Sequence, residues 1–528
     1  MFKVLVADPI AEEGVEVFRK EKDIQVDVKH KLKPEELKAI IGDYDALAVR
    51  SETKVTTEIL DAAKKLKVIG RAGVGVDNVD VPAASKKGVI VMNTPDGNTI
   101  STAEHTLSMI MALSRNIPQA DASLRAKRWD RKKYMGVELF GKVLGIVGTG
   151  RIGREVALRA KSFNMNIVAY DPYLSDEMAA KYEIEKVSLD RLIETADYIT
   201  VHTPLTAETK HLLNEERIER MKQGVRLINC ARGGIIKESA LIAAIKSGKV
   251  AGAALDVFES EPPDLNSELF TLEKVIFTPH LGASTEEAQV SVSVAVANQM
   301  IDALRGGTVR NAVNIPAMPA ELLKQLKPYI ELSEVLGKLI ASLASGSIKK
   351  VNIEYRGLIA DHNTAVLSLA VTKGVLSGLA NESVNFVNAP IIAKDKNIII
   401  TEARTSESSG YASLVKVELE TGSGNFSVAG TVFGRENKRI VQLRGYDIDL
   451  EPAEMMLVIQ NNDKPGLVGS IGSILGAEGI NIASLQMARN ATGGVATMVL
   501  TVDHTINEDT LSRLAGLPNV KEVKFVKI

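Results

Sequence analysis

A glycine-rich turn between a predicted strand and a predicted helix constrains the fold of this chain more than any other feature. The apolar run 143–147 is typical of a buried strand, and glycines follow it at 148, 150 and 153. Gly148 allows the tight turn, Gly150 lets the backbone approach a pyrophosphate, and Gly153 lets the next helix pack close to the strand. The pattern predicts a dinucleotide-binding unit in which a helix N-terminus points at the phosphates.

The acidic residue after the next strand bears on the choice of dinucleotide. The predicted strand 165–170 ends directly before Asp171. A carboxylate at this place can accept both ribose hydroxyls and would repel a 2′-phosphate, so the sequence favours NAD over NADP. Glycine triplets also occur by chance in ordinary loops, but the strand, the helix and the placed acid together support NAD binding.

Length and composition limit the number of domains, the kinds of partner and the compartment of this protein. A chain of 528 residues is too long for one core and suggests three or four domains. Its net charge of −2 gives no reason to expect nucleic acid or an anionic membrane as a partner, and no apolar run is long enough to span a bilayer. Because the start does not resemble a signal peptide and Cys230 is the one cysteine, we expect a cytoplasmic protein without an intramolecular disulfide.

Short apolar strands alternate with helical patterns over residues 1–97 and again over 142–279. This alternation predicts α/β architecture with parallel sheets. A helix is predicted over about 285–304, and the strip 313–320, which contains two prolines, is a predicted linker. Residues 321–452 read as a mixed α/β region. The last 75 or so residues show a βαββαβ pattern, which is the ferredoxin-like arrangement.

Polar residues collect where the predicted strands of the second region end. Thr203, Arg232, Asp256 and His280 each follow a different strand, and Glu261 lies in the loop after Asp256. Oxidation of a secondary alcohol by NAD needs a base, a group that orients the base, and a cation for the substrate. Imidazole, carboxylate and guanidinium suit these three roles. Singly, such a histidine or arginine is as often structural, but their joint placement at the carboxyl ends of strands favours catalysis.

These motifs resemble the D-2-hydroxyacid dehydrogenase family. The resemblance rests on Asn-Cys-Ala-Arg-Gly-Gly at 229–234, Ala-Leu-Asp-Val-Phe-Glu-Ser-Glu-Pro at 254–262 and Thr-Pro-His-Leu-Gly-Ala-Ser at 278–284, and it extends to segments 71–80 and 93–102. It implies that Arg232 binds substrate, Glu261 tunes the base and His280 transfers the proton. Val74 departs from relatives in which a threonine meets the cofactor. The implied NAD contacts are Gly148, Gly150, Arg151, Ile152, Gly153, Asp171, Thr203, Cys230, Ala231, Arg232, Asp256, His280, Leu281, Gly282 and Ala283.

The resemblance also implies a domain plan. A discontinuous flavodoxin-like substrate-binding domain would comprise 1–97 and 283–312, and a Rossmann NAD-binding domain would comprise 98–282. An intervening α/β domain at 317–452, allosteric and similar to a substrate-binding domain, and a ferredoxin-like regulatory ACT domain at 455–528 would complete the chain. No metal site is expected.

The first region supplies cations where the far end of a substrate would lie. Arg50 and Arg71 follow predicted strands and Asn98 opens a long helix, a combination that predicts an anion site. The alternative is that the two arginines belong to unrelated surface ion pairs. By the resemblance, Arg131 reaches a neighbouring subunit's cleft. A carboxylate on Arg232 and a phosphate on the other arginines suit 3-phosphoglycerate, whose oxidation to 3-phosphohydroxypyruvate the resemblance places at the start of serine biosynthesis.

The C-terminal segments Asn462–Val468 and Gly479–Ile482 resemble an ACT domain. Such domains pair side by side and bind amino acids at the join, so Asp463 and Asn481 are candidate ligands of L-serine as a feedback inhibitor. The alternative is that both are ordinary turn residues. Paired tails and paired cofactor domains imply a homotetramer. A second candidate anion site lies in the intervening region, and its residues are Lys438, Arg439 and Arg444.

The sequence leaves two other functions open. Another hydroxyacid dehydrogenase, such as a glyoxylate or hydroxypyruvate reductase, would need neither Arg50 and Arg71 nor a sensor tail. An NAD-responsive binding protein would have no use for Arg232, Glu261 and His280 together.

Overall fold

The computed structural model describes residues 1–307, 309–316, 318, 320–379, 383–407 and 410–528. The predicted linker 313–320 includes residues 317 and 319, and the predicted start of the intervening domain is residue 317. These two residues lie outside the described part of the chain. The described residues form four β-sheets that follow one another in sequence.

The first sheet is parallel and is covered on both faces. Its strands are β1 (Phe2–Val6), β2 (Ile24–Val28), β3 (Ala46–Val49), β4 (Val68–Arg71) and β5 (Ile90–Met92). Their order is β2-β1-β3-β4-β5, which is the flavodoxin-like order. Every residue of β3 is buried, which explains its uninterrupted apolar run. The connections contain α1 (Glu12–Arg19), α2 (Pro34–Ile40), a 3-10 turn (Ile41–Asp43), α3 (Thr57–Ala62) and α4 (Val81–Lys86).

Two helices, α5 (Thr99–Ser114) and α6 (Ile117–Arg125), lead into the second sheet. Its parallel strands are β6 (Val143–Val147), β7 (Asn166–Tyr170), β8 (Glu185–Lys186), β9 (Tyr198–Val201), β10 (Val225–Asn229), β11 (Val250–Leu255) and β12 (Val275–Phe277). The order β12-β11-β10-β9-β6-β7-β8 is that of a Rossmann sheet, with the reversal between β9 and β6. The intervening helices are α7 (Arg151–Lys161), α8 (Asp176–Lys181), α9 (Leu189–Thr195), α10 (Glu215–Arg220) and α11 (Glu238–Ser247), with a 3-10 turn at Glu268–Thr271.

Helix α12 (Glu286–Leu304) follows the second sheet in the chain but packs on the first. Its Val296 and Met300 share a buried core with residues of β1, β3 and β4. Gly70 makes this approach possible, because a Cβ there would lie 2.2 Å from the Met300 sulfur. The chain therefore crosses between the two sheets twice, at α5 and at α12, and the space between them is open to loops from both.

The third sheet is mixed and six-stranded. Its elements are α13 (Ala320–Leu343), β13 (Ile348–Gly357), a 3-10 turn (Leu358–Asp361), α14 (Ala365–Leu376), α15 (Ala389–Asp395), β14 (Ile399–Thr405), β15 (Ser413–Thr421), β16 (Gly424–Phe433), β17 (Asn437–Leu443) and β18 (Tyr446–Leu450). The strand order is β14-β13-β15-β16-β17-β18. Leucines of α13 and α14 form the core against its inner face.

The fourth sheet is antiparallel. It is built from β19 (Met455–Asn462), α16 (Leu467–Ala477), β20 (Ile482–Arg489), β21 (Val495–Val502), α17 (Glu508–Ala515) and β22 (Val520–Lys527). The order β20-β21-β19-β22 is ferredoxin-like, with both helices on one face. The predicted fold class is confirmed. The helices of the described residues fall short of the length and apolarity that a membrane span requires.

Candidate active site

A cleft of about 510 Å³ lies between the first and second sheets, at the carboxyl ends of their strands. Loops after β4 and β5 form one wall, and loops after β6, β9, β10, β11 and β12 form the other. Parallel strands of an open sheet place their ligands at this edge. The predicted residues that line the cleft are Asn98, Gly150, Arg151, Ile152, Thr203, Cys230, Ala231, Arg232, Asp256, His280, Gly282 and Ala283.

The glycine turn has the geometry that a dinucleotide needs. Gly148 has a φ of 95°, and a Cβ on Gly153 would lie 2.1 Å from the carbonyl oxygen of Gly148. By contrast, a Cβ on Gly150 would meet no described atom within 4 Å, so this glycine leaves open space in the cleft. Helix α7 begins at Arg151, and among the described residues no side chain caps it. Its first N–H groups therefore remain available to a pyrophosphate.

Asp171 is held rigidly beside this turn. Its Oδ2 accepts hydrogen bonds from the N–H and the hydroxyl of Thr149, at 2.7 and 3.0 Å, and its Oδ1 accepts one from the N–H of Tyr173 at 2.8 Å. A carboxylate has capacity for about four hydrogen bonds, so one acceptor place remains for a ribose hydroxyl. The position of Asp171 at the end of β7 fits a bound adenosine ribose.

Three further polar atoms line the cleft without a partner among the described residues. They are the buried Oδ1 of Asn98, Nδ1 of His202 and Oγ1 of Thr203. Buried polar atoms are normally hydrogen-bonded, so these three indicate a site shaped for a ligand. Burial lowers the pKa of His202 to about 4, and the ring is therefore neutral at physiological pH. These residues fit a nicotinamide dinucleotide.

The predicted base and its partner are in contact. His280 Nδ1 lies 2.7 Å from Oε2 of Glu261, and the other oxygen of Glu261 accepts a hydrogen bond from the N–H of Phe258 at 3.2 Å. Burial raises the pKa of Glu261, but the hydrogen bond and charge of His280 outweigh it and the net pKa is lowered. Glu261 is thus a carboxylate that accepts Nδ1–H, which leaves Nε2 of His280 as the basic nitrogen.

Asp256 is fully buried and organises the loop that carries His280. Its carboxylate accepts hydrogen bonds from the hydroxyl of Thr278 at 2.6 Å and from the N–H groups of Leu281 at 2.7 Å and Gly282 at 2.9 Å. His105 Nε2 lies 3.2 Å from the same group. Burial raises the pKa of Asp256, but these donors outweigh burial and hold it below its usual range.

Arg232 is presented by a short clamped loop. Oδ1 of the buried Asn229 accepts from the N–H of Ala231 at 3.0 Å, and its Nδ2 donates to the carbonyl of Arg232 at 2.8 Å. The guanidinium of Arg232 donates from Nε to Oδ2 of Asp77 at 3.1 Å and from Nη1 to the carbonyl of Ala231 at 2.7 Å. Cys230, beside them, is buried, and burial raises its pKa to about 12, which makes it an inert thiol.

Arg71 lies in the electrostatic neighbourhood of both Arg232 and Arg50, and of these three arginines Arg232 alone lines the cleft. Burial, and then the repulsion of Arg232, lower the pKa of Arg71 to about 10, and its buried Nε has no hydrogen-bond partner in the described structure. The N–H of Arg50 donates to Asp8 at 2.6 Å, which fixes the loop after β3. Arg131 lies apart from this group on an exposed turn outside the lining of the cleft.

Several site residues were missed in the sequence. Asp77 pairs with Arg232 across the cleft, and Asp96 pairs with Nε of Arg151 across it at 2.5 Å. His105 of α5 contacts Asp256. Both acids lie in segments that carry the family resemblance, but acids in loops are usually solvated. No such signal was present for His105, because the helix that carries it also holds a glutamate, three threonines and three serines.

Comparisons with known proteins identify the family of this chain. Family models match three parts of the chain: the D-isomer specific 2-hydroxyacid dehydrogenase NAD binding domain at 107–282, the D-3-phosphoglycerate dehydrogenase intervening domain at 325–444 and the ACT domain at 455–519. A D-3-phosphoglycerate dehydrogenase of Methanocaldococcus jannaschii is 45% identical over 530 residues, which cover 100% of both chains. The chain belongs to the D-3-phosphoglycerate dehydrogenase family. It is an NAD-dependent oxidoreductase, and the predictions of family and cofactor are confirmed.

Solved structures resemble more than half of this chain. The TT0316 protein of Thermus thermophilus aligns with a TM-score of 0.55 and 34% identity, covering 59% of this chain and 99% of its own. A D-lactate dehydrogenase of Aquifex aeolicus, solved with NAD and lactic acid, aligns with a TM-score of 0.53 and 29% identity over 58% of this chain and 96% of its own.

The two predicted effector residues do not converge within one chain. Asp463 follows β19 beside the turn into β21, where it pairs with Arg489 and accepts from the N–H of Gly493 at 3.4 Å. Asn481 precedes β20 at the other end of β21 and donates to Asp503 at 2.7 Å. The seven residue steps of β21 separate these ends by roughly 23 Å. The bond to Arg489 lowers the pKa of Asp463.

The cations of the intervening region are each engaged in ion pairs. Lys438 Nζ lies 2.6 Å from Glu331, Arg439 faces Asp449 and Glu451, and Arg444 Nη1 lies 2.7 Å from Glu522 of β22. Arg444 therefore joins the third sheet to the fourth. All three side chains are thus held by carboxylates, although the buried Nε of Arg444 has no hydrogen-bond partner in the described structure.

Proposed function

We propose that the protein oxidises 3-phospho-D-glycerate to 3-phosphohydroxypyruvate with NAD⁺, as the first step of L-serine biosynthesis. One observation carries the proposal: the partly buried guanidinium of Arg71, with an unpartnered Nε, lies close enough to Arg232 for their repulsion to lower its pKa. Two neighbouring cations, one of which lines the cleft, favour a ligand with two anionic ends. A carboxylate on Arg232 and a phosphate on Arg71 and Arg50 would meet that requirement.

We assign the catalytic roles to three residues. NAD⁺, when bound, supplies the hydride acceptor. Nε2 of His280 takes the proton of the C2 hydroxyl as the C2 hydride leaves, so that the alcohol becomes a ketone and the imidazole becomes an imidazolium. Glu261, ionised and 2.7 Å from Nδ1, stabilises that imidazolium. Arg232 holds the substrate carboxylate and polarises the forming carbonyl.

The phosphate end is assigned to the first sheet. Arg50, Arg71 and Asn98 at the start of α5 would hold it, and Arg131 of a neighbouring copy would reach the same cleft. For the cofactor, the glycine turn and α7 would hold the pyrophosphate and Asp171 the ribose. The remaining proposed contacts are Thr203, Cys230, Ala231, Asp256, Leu281, Gly282 and Ala283.

Regulation by L-serine is proposed at the join of two C-terminal units. Because Asp463 and Asn481 lie at opposite ends of β21, a site that uses both needs two copies related by a twofold axis, which brings opposite ends together. The carboxylate of Asp463 would exchange Arg489 for the ammonium of serine, and the amide of Asn481 would hold its carboxylate.

We also propose a cytoplasmic homotetramer with the domain plan predicted from the sequence. The packing of α12 on the first sheet supports a substrate-binding domain built from two separate segments. Side-by-side pairing of C-terminal units and pairing of cofactor domains would together give four copies.

One assay tests the activity. Purified protein is given NAD⁺ with 3-phosphoglycerate or with unphosphorylated D-glycerate, and NADH formation is followed by absorbance. We expect turnover with the phosphorylated acid. Turnover restricted to unphosphorylated acids would favour another hydroxyacid dehydrogenase, and an absence of turnover with any acid would favour an NAD-responsive binding protein. Either result overturns the proposal.

A variant sharpens this assay. Arg71→Ala should raise KM for 3-phosphoglycerate about 100-fold, because a charge-assisted contact is lost, and should change KM for D-glycerate much less. Arg19→Ala, which removes an exposed arginine of the same region, is the matched control. Equal effects of Arg71→Ala on both acids would exclude a phosphate site there.

The serine site is tested in the same way. Millimolar L-serine should inhibit the wild-type enzyme, and Asn481→Ala should abolish the inhibition without changing uninhibited turnover. Inhibition that survives in Asn481→Ala, or none in the wild type, would exclude this site.

A further inference from the structure

The ion pair between Asp77 and Arg232 spans the cleft. Asp77 lies in the loop after β4 of the first sheet, whereas Arg232 lies in the loop after β10 of the second, 155 residues later. We propose that Asp77 is a positioning residue that orients the guanidinium of Arg232 for the substrate carboxylate. This inference rests on the proposed function, because it gives Arg232 the role of carboxylate ligand.

The hydrogen bonds of Arg232 divide its donors into two sets. A guanidinium has five N–H donors in one plane. Nε–H is taken by Oδ2 of Asp77 at 3.1 Å, and one donor of Nη1 is taken by the carbonyl of Ala231 at 2.7 Å. The remaining Nη1 donor and both Nη2 donors have no partner among the described residues. Two fixed bonds thus set the plane and leave the outer edge free for a carboxylate.

The loop of Asp77 is built to bring these groups together. A Cβ on Gly75 would lie 1.9 Å from Nη2 of Arg232 and 2.7 Å from Oδ2 of Asp77, so that only glycine leaves room for this meeting. Asn78, which follows Asp77, anchors the loop, because its Nδ2 donates to the carbonyls of Arg50 at 3.0 Å and Thr53 at 2.7 Å. The anchored loop therefore holds the carboxylate of Asp77 beside the guanidinium of Arg232.

Charge gives the contact a second effect. Arg71 and Arg232 repel each other, and the carboxylate of Asp77 opposes that repulsion at Arg71. Because Asp77 binds the Nε edge, it offsets the excess positive charge while leaving the Nη donors to the substrate. An acid on the Nη edge would instead compete with the substrate for Arg232.

Two substitutions separate orientation from general structure. Asp77→Ala should raise KM for 3-phosphoglycerate about tenfold and lower kcat by less than about threefold, because the misplaced guanidinium mainly weakens binding of the carboxylate. Asp77→Asn should restore most of the lost affinity, since its amide oxygen still accepts from Nε–H. The affinity for NAD⁺ should stay unchanged in both variants.

Asp61→Ala is the matched control, because Asp61 is an exposed acid of the same region that pairs with Lys87. Thermal unfolding of all three variants should match the wild type, given that Asp77 is largely exposed. A wild-type KM in Asp77→Ala, or a KM in Asp77→Asn as high as that of the alanine variant, would overturn the inference.

A double-mutant comparison tests whether Asp77 acts through Arg232. In an Arg232→Lys background, which lacks the Nε–H, Asp77→Ala should raise KM no further. A further tenfold rise would show that Asp77 acts elsewhere. The proposed function and the positioning role can fail separately. A wild-type enzyme that does not turn over 3-phosphoglycerate overturns the proposed function. An active enzyme whose KM does not change when Asp77 is substituted overturns only the positioning role.

Discussion

The backbone N–H of Leu281 donates a hydrogen bond of 2.7 Å to the buried carboxylate of Asp256, one residue after the proposed base His280. The N–H of Gly282 donates to the same carboxylate, and the N–H of His280 donates to the Asp256 carbonyl at 2.9 Å. His280 itself has a φ of 55°, a backbone conformation that costs a residue with a side chain about 1–3 kcal/mol. A single buried acid thus maintains the shape of the loop that presents the imidazole.

Asp256→Asn should destabilise the protein by about 1–3 kcal/mol at neutral pH, because the backbone donors lose a charged acceptor. The pKa of Asp256 is lowered in the folded state from its usual 3.8, so its contribution is fully present above that value. As the pH falls through the folded pKa, the contribution is lost and the two proteins should converge. Urea unfolding from neutral pH down to about pH 3 measures this. A difference that grows in acid would contradict the assignment.

His280→Ala should lower kcat by about 10³-fold while the dissociation constant for NAD⁺ stays near that of the wild type, because the ring transfers the substrate proton. Glu261→Gln should lower kcat by a smaller factor of about 10²-fold, since the amide can still orient the ring but cannot neutralise the imidazolium. Steady-state kinetics and fluorescence titration with NADH distinguish the two effects. An active His280→Ala enzyme would exclude His280 as the base.

Gly150→Ala and Gly153→Ala form a matched pair, because the first should affect affinity for NAD⁺ and the second should affect stability. A Cβ on Gly150 meets open space, so this variant should keep its melting temperature and lose affinity for NAD⁺. A Cβ on Gly153 would lie 2.1 Å from the Gly148 carbonyl, so that variant should be destabilised by about 1–3 kcal/mol. Calorimetry and NADH titration on both proteins check the pair. Equal affinities in Gly150→Ala and the wild type would exclude the turn as the pyrophosphate site.

Asp171→Asn should reduce the preference for NAD⁺ over NADP⁺, expressed as a ratio of kcat/KM values, by about 10–100-fold. The substitution removes the charge that repels a 2′-phosphate and weakens the bond to a ribose hydroxyl, while its oxygen still accepts from Thr149. Kinetics with both cofactors at saturating 3-phosphoglycerate provide the measurement. An unchanged ratio would indicate that other residues select the cofactor.

Much of the fold was predictable because its signals are local. The glycine turn, the helix α5 and the βαββαβ tail each depend on residues within a few dozen positions of one another, and the apolar periodicity of such segments reports which face is buried. The fold class and the cofactor followed from these patterns together with the family resemblance. The two candidate effector residues show where prediction from local sequence ends. Both lie beside turns, as their sequence indicates, but the pairing of the strands places them at opposite ends of β21.

The amino-acid sequence by itself determined which elements form, which loops end at the edge of each parallel sheet, and which side chains could perform acid–base chemistry there. Tertiary structure alone decided which of those side chains meet. Asp77 reaches Arg232 across 155 residues because α5 and α12 bring the two sheets together at a cleft, and His105 reaches Asp256 because α5 packs against the second sheet. Contacts of this kind depend on the summed packing of two cores, and no local pattern in the chain encodes them.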